Sequence, residues 1–232
     1  MIPQAARSLP CMLADQYILS SVLEEKEDSI VYEATQKDLQ REVLVESLRV
    51  DAATDEEKVG RFFETYRLQA RIRHSSLAAP LEVVEYEGTW HVARERIHGE
   101  PLDAMVNAGR TLSAEMVCGL LQQLCYMHLY FDMERIATVP FSPEHTYLMD
   151  FGGYRFDHMA VAGVRRPGET QRQLAAVAAV VEPLLDRNSM FTPTLLQMMD
   201  QIRNTRSWSP ISPAVLDEEL NRLQMEMIHH KK

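Results

Sequence analysis

Cysteine is scarce in this chain: its 232 residues hold three, Cys11, Cys118 and Cys125. None belongs to a C-x-x-C pair and no histidine stands beside one at ligand spacing, which excludes a disulfide framework and a structural zinc site as the basis of the fold. A reducing cytoplasm is the expected location. Long apolar runs are missing too. The longest aliphatic stretch, residues 174–181, falls well short of the roughly 20 residues that span a bilayer. The first residues lack the charged start and apolar centre of a secretory signal, so a soluble protein without membrane insertion is expected. Basic charge is in deficit, with 24 Lys and Arg against 34 Asp and Glu and a net charge of -10. That balance argues against nucleic acid or an anionic membrane as main partner and favours a basic one. There is no internal repeat or low-complexity tract, and the closing His229-His230-Lys231-Lys232 reads as a frayed helix end rather than a metal site.

What is present is ample apolar content, 46% of residues, enough to build the core of one large domain or two small lobes. The pattern changes along the chain. Residues 17–23, 30–35, 42–48, 81–86 and 89–95 are short, β-branched or alternating, and are separated by charged or glycine-containing turns, which predicts an antiparallel sheet. One helix interrupts them over residues 55–73, with Thr54 as its cap and Phe62, Phe63, Tyr66, Ala70 and Ile72 as its apolar stripe. Beyond Gly99 helical periods take over at 113–130, 170–185, 192–204 and 213–229, with Ser113, Thr192 and Ser212 near the starts. Between the first two of these, residues 146–161 alternate around Gly152-Gly153 and predict a β-hairpin. The expected fold is α+β, with a tail at 1–15, a strand-rich lobe at 16–98 and a reduced, mostly α lobe at 99–232.

Local sequences give this order a family. From Leu23 the chain reads LEEKEDSIVYEATQKDLQREVLVESL, placing Val31, Tyr32 and Ala34 on the V-Y-x-A that follows the glycine-rich loop of eukaryotic-type bacterial Ser/Thr protein kinases. Arg41-Glu42-Val43 then enters the next strand without a gap. ARIRHSSL resembles the end of the kinase helix and its following turn, with Leu68 and Ile72 inward and His74 on the usual histidine. Glu95, Ile97, Gly99 and Leu102 resemble the hinge and the glycine that opens the second lobe. The chain thus resembles a protein kinase over residues 16–163, and poorly after that.

The resemblance implies that the catalytic positions have been replaced. The loop glycines, which let backbone amides approach ATP phosphates, correspond to Glu24, Lys26 and Ser29. Glu24, Glu25, Glu27 and Asp28 around one lysine should form a solvated acidic turn that repels phosphate. The strand lysine corresponds to Glu46, and its helix glutamate to Thr65, with Glu64 one position off, so no Lys–Glu pair forms there. Aligning Ser142-Pro143-Glu144-His145 on K-P-x-N puts Thr138, Val139 and Pro140 on H-R-D, and proline cannot act as the base. His145, on the metal-binding asparagine, reads as a structural histidine. Asp150-Phe151-Gly152 spells the magnesium motif, but only four residues separate His145 from Asp150, where the family has about a dozen, two short strands and a turn. Family spacing reaches His158-Met159-Ala160 instead and leaves Phe151-Gly152-Gly153 as a hairpin turn; Asp150 is a metal ligand only if the D-F-G is genuine. The stretch 164–169 leaves no A-P-E and no long activation segment.

A pseudokinase is therefore expected: no ATP, no metal and no other cofactor, acting on a protein partner such as an active kinase or a component of the same pathway. Two alternatives stand beside it. One is a kinase-fold enzyme with relocated chemistry at His145, His158 or Asp150; the other is a small-molecule sensor binding between the lobes, where Glu46 would suit an amine. Trp208, Tyr130, Met225 and Met227 are the candidate docking residues, although Met at helical spacing more often packs in a core.

Overall fold

A computed structural model describes residues 8–150, 152–157, 160–164, 166, 168–204 and 212–230. The chain divides into two compact units, Met1–Ile97 and His98–Lys232.

The first unit is built on strands β1 (Cys11–Leu13), β2 (Tyr17–Glu25), β3 (Ser29–Gln36) and β4 (Arg41–Leu48), helices α1 (Val50–Ala53) and α2 (Glu56–Arg71), and strands β5 (Pro80–Tyr86) and β6 (Thr89–Glu95). All pairings are antiparallel and the sheet order is β1-β2-β3-β4-β6-β5. The five expected strands are present within two residues of their expected ends. A sixth, β1, pairs Cys11 with Leu19 and Leu13 with Tyr17, so part of the expected tail belongs to the sheet. Three residues are too few to show a periodicity, which is why alternation does not reveal it. The sheet curls: Tyr17 on β2 donates its hydroxyl to Glu82 on the far edge strand β5. Burial, with Glu82 beside it, pushes the Tyr17 pKa up. Inside the curl lie Leu13, Tyr17, Leu19, Tyr32, Val43, Val45 and Ala93, the leucines and valines worth roughly 1.5–3 kcal/mol each when withdrawn from water.

Two details of α2 differ from expectation. Its cap is Asp55, whose carboxylate accepts from Glu57 N at 2.9 Å and Lys58 N at 3.2 Å. Thr54 instead closes α1, donating its hydroxyl to the Asp51 carbonyl. The apolar stripe is also narrower than expected. Tyr66 and Ile72 are buried, Phe62 and Phe63 half-buried, and Ala70 exposed, because the sheet beneath is curved and meets only one line of the helix.

The second unit contains β7 (Glu100–Pro101), α3 (Leu102–Asn107), α4 (Ala114–Met133), β8 (Ile136–Thr138), β9 (Thr146–Leu148), β10 (Tyr154–Phe156), β11 (Ala160–Val164), α5 (Glu169–Val181), α6 (Thr192–Arg203) and α7 (Pro213–His230). Ser113 caps α4 as expected, accepting from Met116 N at 3.2 Å. The apolar face of α5, with Leu174, Val177, Ala178 and Val181, is fully buried. Gly99 admits no side chain, since a Cβ there would meet the Leu148 carbonyl oxygen at 2.8 Å. The expected hairpin is β9–β10, turning through Gly152 and Gly153 at φ 77° and 83°, a left-handed pair that glycine adopts without strain. It ends earlier than expected: β11 leaves it to pair with β8. Elements of two to six residues, β7, α3 and β8, lie below what periodicity can resolve. Among the described residues no helix is long and apolar enough to cross a membrane.

Candidate functional site

The chemistry of the first unit centres on Glu46. It stands on β4 opposite Val31 and Val92 in the two flanking ladders and is only 5% exposed. A buried carboxylate survives only with donors around it. Ser29 donates its hydroxyl to Oε1 at 2.6 Å, and Tyr66 donates to Oε2 at 2.6 Å. Lys26 Nζ lies 3.2 Å from Oε2. Burial on its own would raise the pKa of this carboxyl. The charges of Lys26 and Arg94, with the two hydroxyls, outweigh it and hold the group at about 2.

Three residues singled out by the sequence resemblance converge here: Lys26 and Ser29, set there against loop glycines, and Glu46, set against the strand lysine. The helix contribution comes from Tyr66, the neighbour of Thr65. The signal for Tyr66 is its polar tip on the apolar stripe of α2.

The turn is the solvated acidic one expected, with Glu25 and Glu27 exposed, and ion pairs hold it in place. Arg49 Nη2 meets Glu25 Oε2 at 2.9 Å, and Lys58 Nζ meets Asp28 Oδ1 at 2.6 Å. Glu24 lies 3.8 Å from Lys26 Nζ. Arg49 further donates its Nε to the Lys26 carbonyl at 3.2 Å and its backbone N–H to the Asp28 carbonyl at 2.9 Å. Three cations therefore serve the acidic run, two of them supplied from α2 and the end of β4. Neither is near the turn in sequence, so reading the loop alone leaves its carboxylates uncompensated.

In the second unit the segment aligned on H-R-D is also tied down. Glu169, at the first turn of α5, accepts from Thr138 N at 2.8 Å and Thr138 Oγ1 at 2.7 Å, and from Arg166 N at 2.9 Å. Gln173, one turn on, accepts from Phe141 N at 2.7 Å and donates to the Val139 carbonyl at 2.8 Å. Pro140 lies exposed between them. Ser142 donates to Glu144 at 2.9 Å and receives Thr146 Oγ1 on its carbonyl at 3.0 Å. His145 is half-buried, with Glu144 4.0 Å from its Nε2.

Asp150 is exposed in the β9–β10 turn, where Gly152 N bonds the Met149 carbonyl at 2.9 Å. It therefore sits between the two strands rather than after them. Asp150→Ala should change stability by no more than about 0.5 kcal/mol, read from urea unfolding. The residue that follows the second strand directly is Asp157, 4% exposed, whose N–H bonds the His145 carbonyl at 2.9 Å. His158, the residue reached by family spacing, lies outside the described residues. Among the described residues no cluster of three or more His, Cys, Asp or Glu could hold a metal. Of the candidate docking residues, Met225 is exposed, Tyr130 half-buried and Met227 buried, while Trp208 lies outside the described residues.

Comparison with known proteins follows these features. No family model matches. A probable serine/threonine-protein kinase of Streptomyces coelicolor is 27% identical over 187 residues, covering 75% of this chain and 27% of the relative. The probable serine/threonine-protein kinase PknB of Corynebacterium glutamicum is 30% identical over 118 residues, covering 49% of this chain and 18% of the relative. The chain thus spans about a quarter or less of these curated relatives. Crystal structures of two mutants of the PknI kinase domain from Mycobacterium tuberculosis superpose with TM-score 0.65 over 94% of this chain and 99% of theirs, at 15% and 16% identity. This chain has a protein kinase-like fold.

Proposed function

We propose that this kinase-like chain transfers no phosphoryl group and acts as a regulatory module that binds a protein partner, such as an active kinase or a component of its pathway. One observation carries the reading. A carboxylate takes the place of the lysine that would meet the phosphates, and the loop that would cover them sends its own lysine to that carboxylate. An ATP phosphate would have to displace Lys26 from a 3.2 Å contact and then face Glu46. Pro140, in place of the base, supports the same reading, because positioning in phosphoryl transfer depends on all these groups together. The sensor reading loses its motive, since Lys26 already supplies the amine that Glu46 would suit.

Thermal unfolding with and without Mg-ATP tests this. A nucleotide at about 100 times its Kd would stabilise by about 2.7 kcal/mol, a shift of about 5–10 °C for a chain of this size. The expected shift is zero up to millimolar nucleotide, and a saturable rise would overturn the reading. A second reading, a kinase-fold enzyme with relocated chemistry, draws support from Asp157, a carboxylate directly after β10. It requires labelled phosphate to transfer from ATP to an acceptor and Asp157→Asn to abolish that transfer.

A further inference from the structure

In the second unit α7 is packed on one side and open on the other. Its inner face, Leu216, Leu220, Leu223 and Met227, is buried. Polar contacts fix that face on α4: Gln122 Nε2 donates to Asn221 Oδ1 at 2.8 Å, and Cys118 Sγ donates to the Leu220 carbonyl at 3.4 Å. At the far end His230 meets Phe191 edge to face, with ring centroids 5.7 Å apart. The helix is therefore anchored along its length while its outer side stays exposed.

Five residues run down that outer side at alternating spacings of three and four: Val215, Glu218, Arg222, Met225 and His229, all of them exposed. This is the repeat with which one helix meets another. Val215 and Met225 are 49% and 55% exposed, with Ile228 beside the seam at 44%. Arg222 has no ion pair among the described residues, although Glu218, Glu219 and Glu226 all stand within about one turn of it.

The order of charges points to what covers this face. Glu218 and Glu219 precede Arg222, and His229 and His230 follow Met225, so the helix matches a copy of itself turned end for end. With the crossing point midway between Arg222 and Met225, an antiparallel second α7 lays Met225 on the alkyl stem of Arg222. It also brings Glu226 beside the Arg222 guanidinium and Glu218 opposite a ring N–H of His229. By two-fold symmetry each contact is made twice.

We infer that the outer face of α7 is a two-fold interface between copies of this chain, packed as an antiparallel helix pair. The interface goes beyond the proposed loss of phosphoryl transfer and is tested without nucleotide, so either can fail alone. One helix pair is a small contact, and the expected Kd is on the order of tens of micromolar.

Sedimentation velocity on the full chain, from low to high micromolar concentration, should show a reversible monomer–dimer equilibrium. Met225→Arg sets like charges against each other at the centre of the contact and should weaken the dimer by about tenfold or more. Arg222→Glu, which places carboxylate against carboxylate, should do the same, and Arg222→Glu combined with Glu226→Arg should restore association. The substituted positions are exposed, so circular dichroism should find every variant folded as wild type. A wild type that stays monomeric at high micromolar concentration would assign the face to another occupant and overturn the inference. A dimer indifferent to Met225→Arg and Arg222→Glu, or a charge-swapped double variant that does not recover, overturns it as well.

Discussion

Glu46→Lys, which supplies the lysine that the sequence resemblance leads one to expect here, is expected to destabilise the first unit by about 3–5 kcal/mol and to confer no binding of Mg-ATP. The new ammonium would stand beside Lys26 and the buried Arg94, two cations that Glu46 now offsets. It would also leave Ser29 and Tyr66 facing a group that cannot accept their hydroxyl protons. The double change Lys26→Glu with Glu46→Lys should recover part of the loss, and a double-mutant cycle on urea unfolding measures the coupling. A single variant as stable as wild type, or one that binds nucleotide, would show that the network does not hold the loop.

The same residue sets an acid response. In the folded unit its carboxyl titrates near 2, below the ordinary value of 4.5. A depressed folded pKa contributes stability that is complete above about pH 4.5 and lost as pH falls toward about 2. Glu46→Gln should therefore be less stable than wild type at neutral pH, with the gap narrowing across that window. Unfolding midpoints of both proteins measured at several pH values give the comparison, and a gap independent of pH would contradict it.

The second large effect is expected at Glu169. Its carboxylate, 8% exposed, is the acceptor for the Thr138 amide and hydroxyl and for the Arg166 amide. Glu169→Ala strands those donors where water reaches poorly, at a cost of about 3–4 kcal/mol. Glu169→Gln retains one carbonyl acceptor and should cost about half as much. Global unfolding alone would not separate this from a packing defect, so hydrogen exchange at the Thr138 amide is the sharper measurement. Exchange there should quicken by an order of magnitude or more in Glu169→Ala while amides in β2 and β3 keep their protection. An unchanged Thr138 rate would mean that α5 does not anchor the segment after β8.

Much of the fold was legible in the sequence for a simple reason. Strands such as Thr89–Glu95 and helices such as Ala114–Met133 are long enough to repeat their period several times, and Ser113 announces the latter with a side chain that caps. Gly152-Gly153 announced the hairpin because two successive left-handed residues suit little else. The turn reading of Asp150 followed from its short spacing to His145, with those glycines in support, and Asp150 is exposed between β9 and β10. The contact of α2 with Glu46 was less legible: Tyr66 belongs to the apolar stripe by its ring, and only its hydroxyl reaches the carboxylate.

The sequence alone determined which residue types the resemblance sets against the kinase positions, Glu46 against a lysine and Pro140 against the base. Residue identity is local, and spacing carries it. Only the tertiary structure decided what those replacements do to one another. Lys26, Ser29, Tyr66 and Arg94 come from a turn, two strands and a helix, and their approach to Glu46 depends on how the sheet and α2 pack together. A buried carboxylate has to be satisfied by whatever donors the fold delivers, and those donors cannot be read from neighbours along the chain.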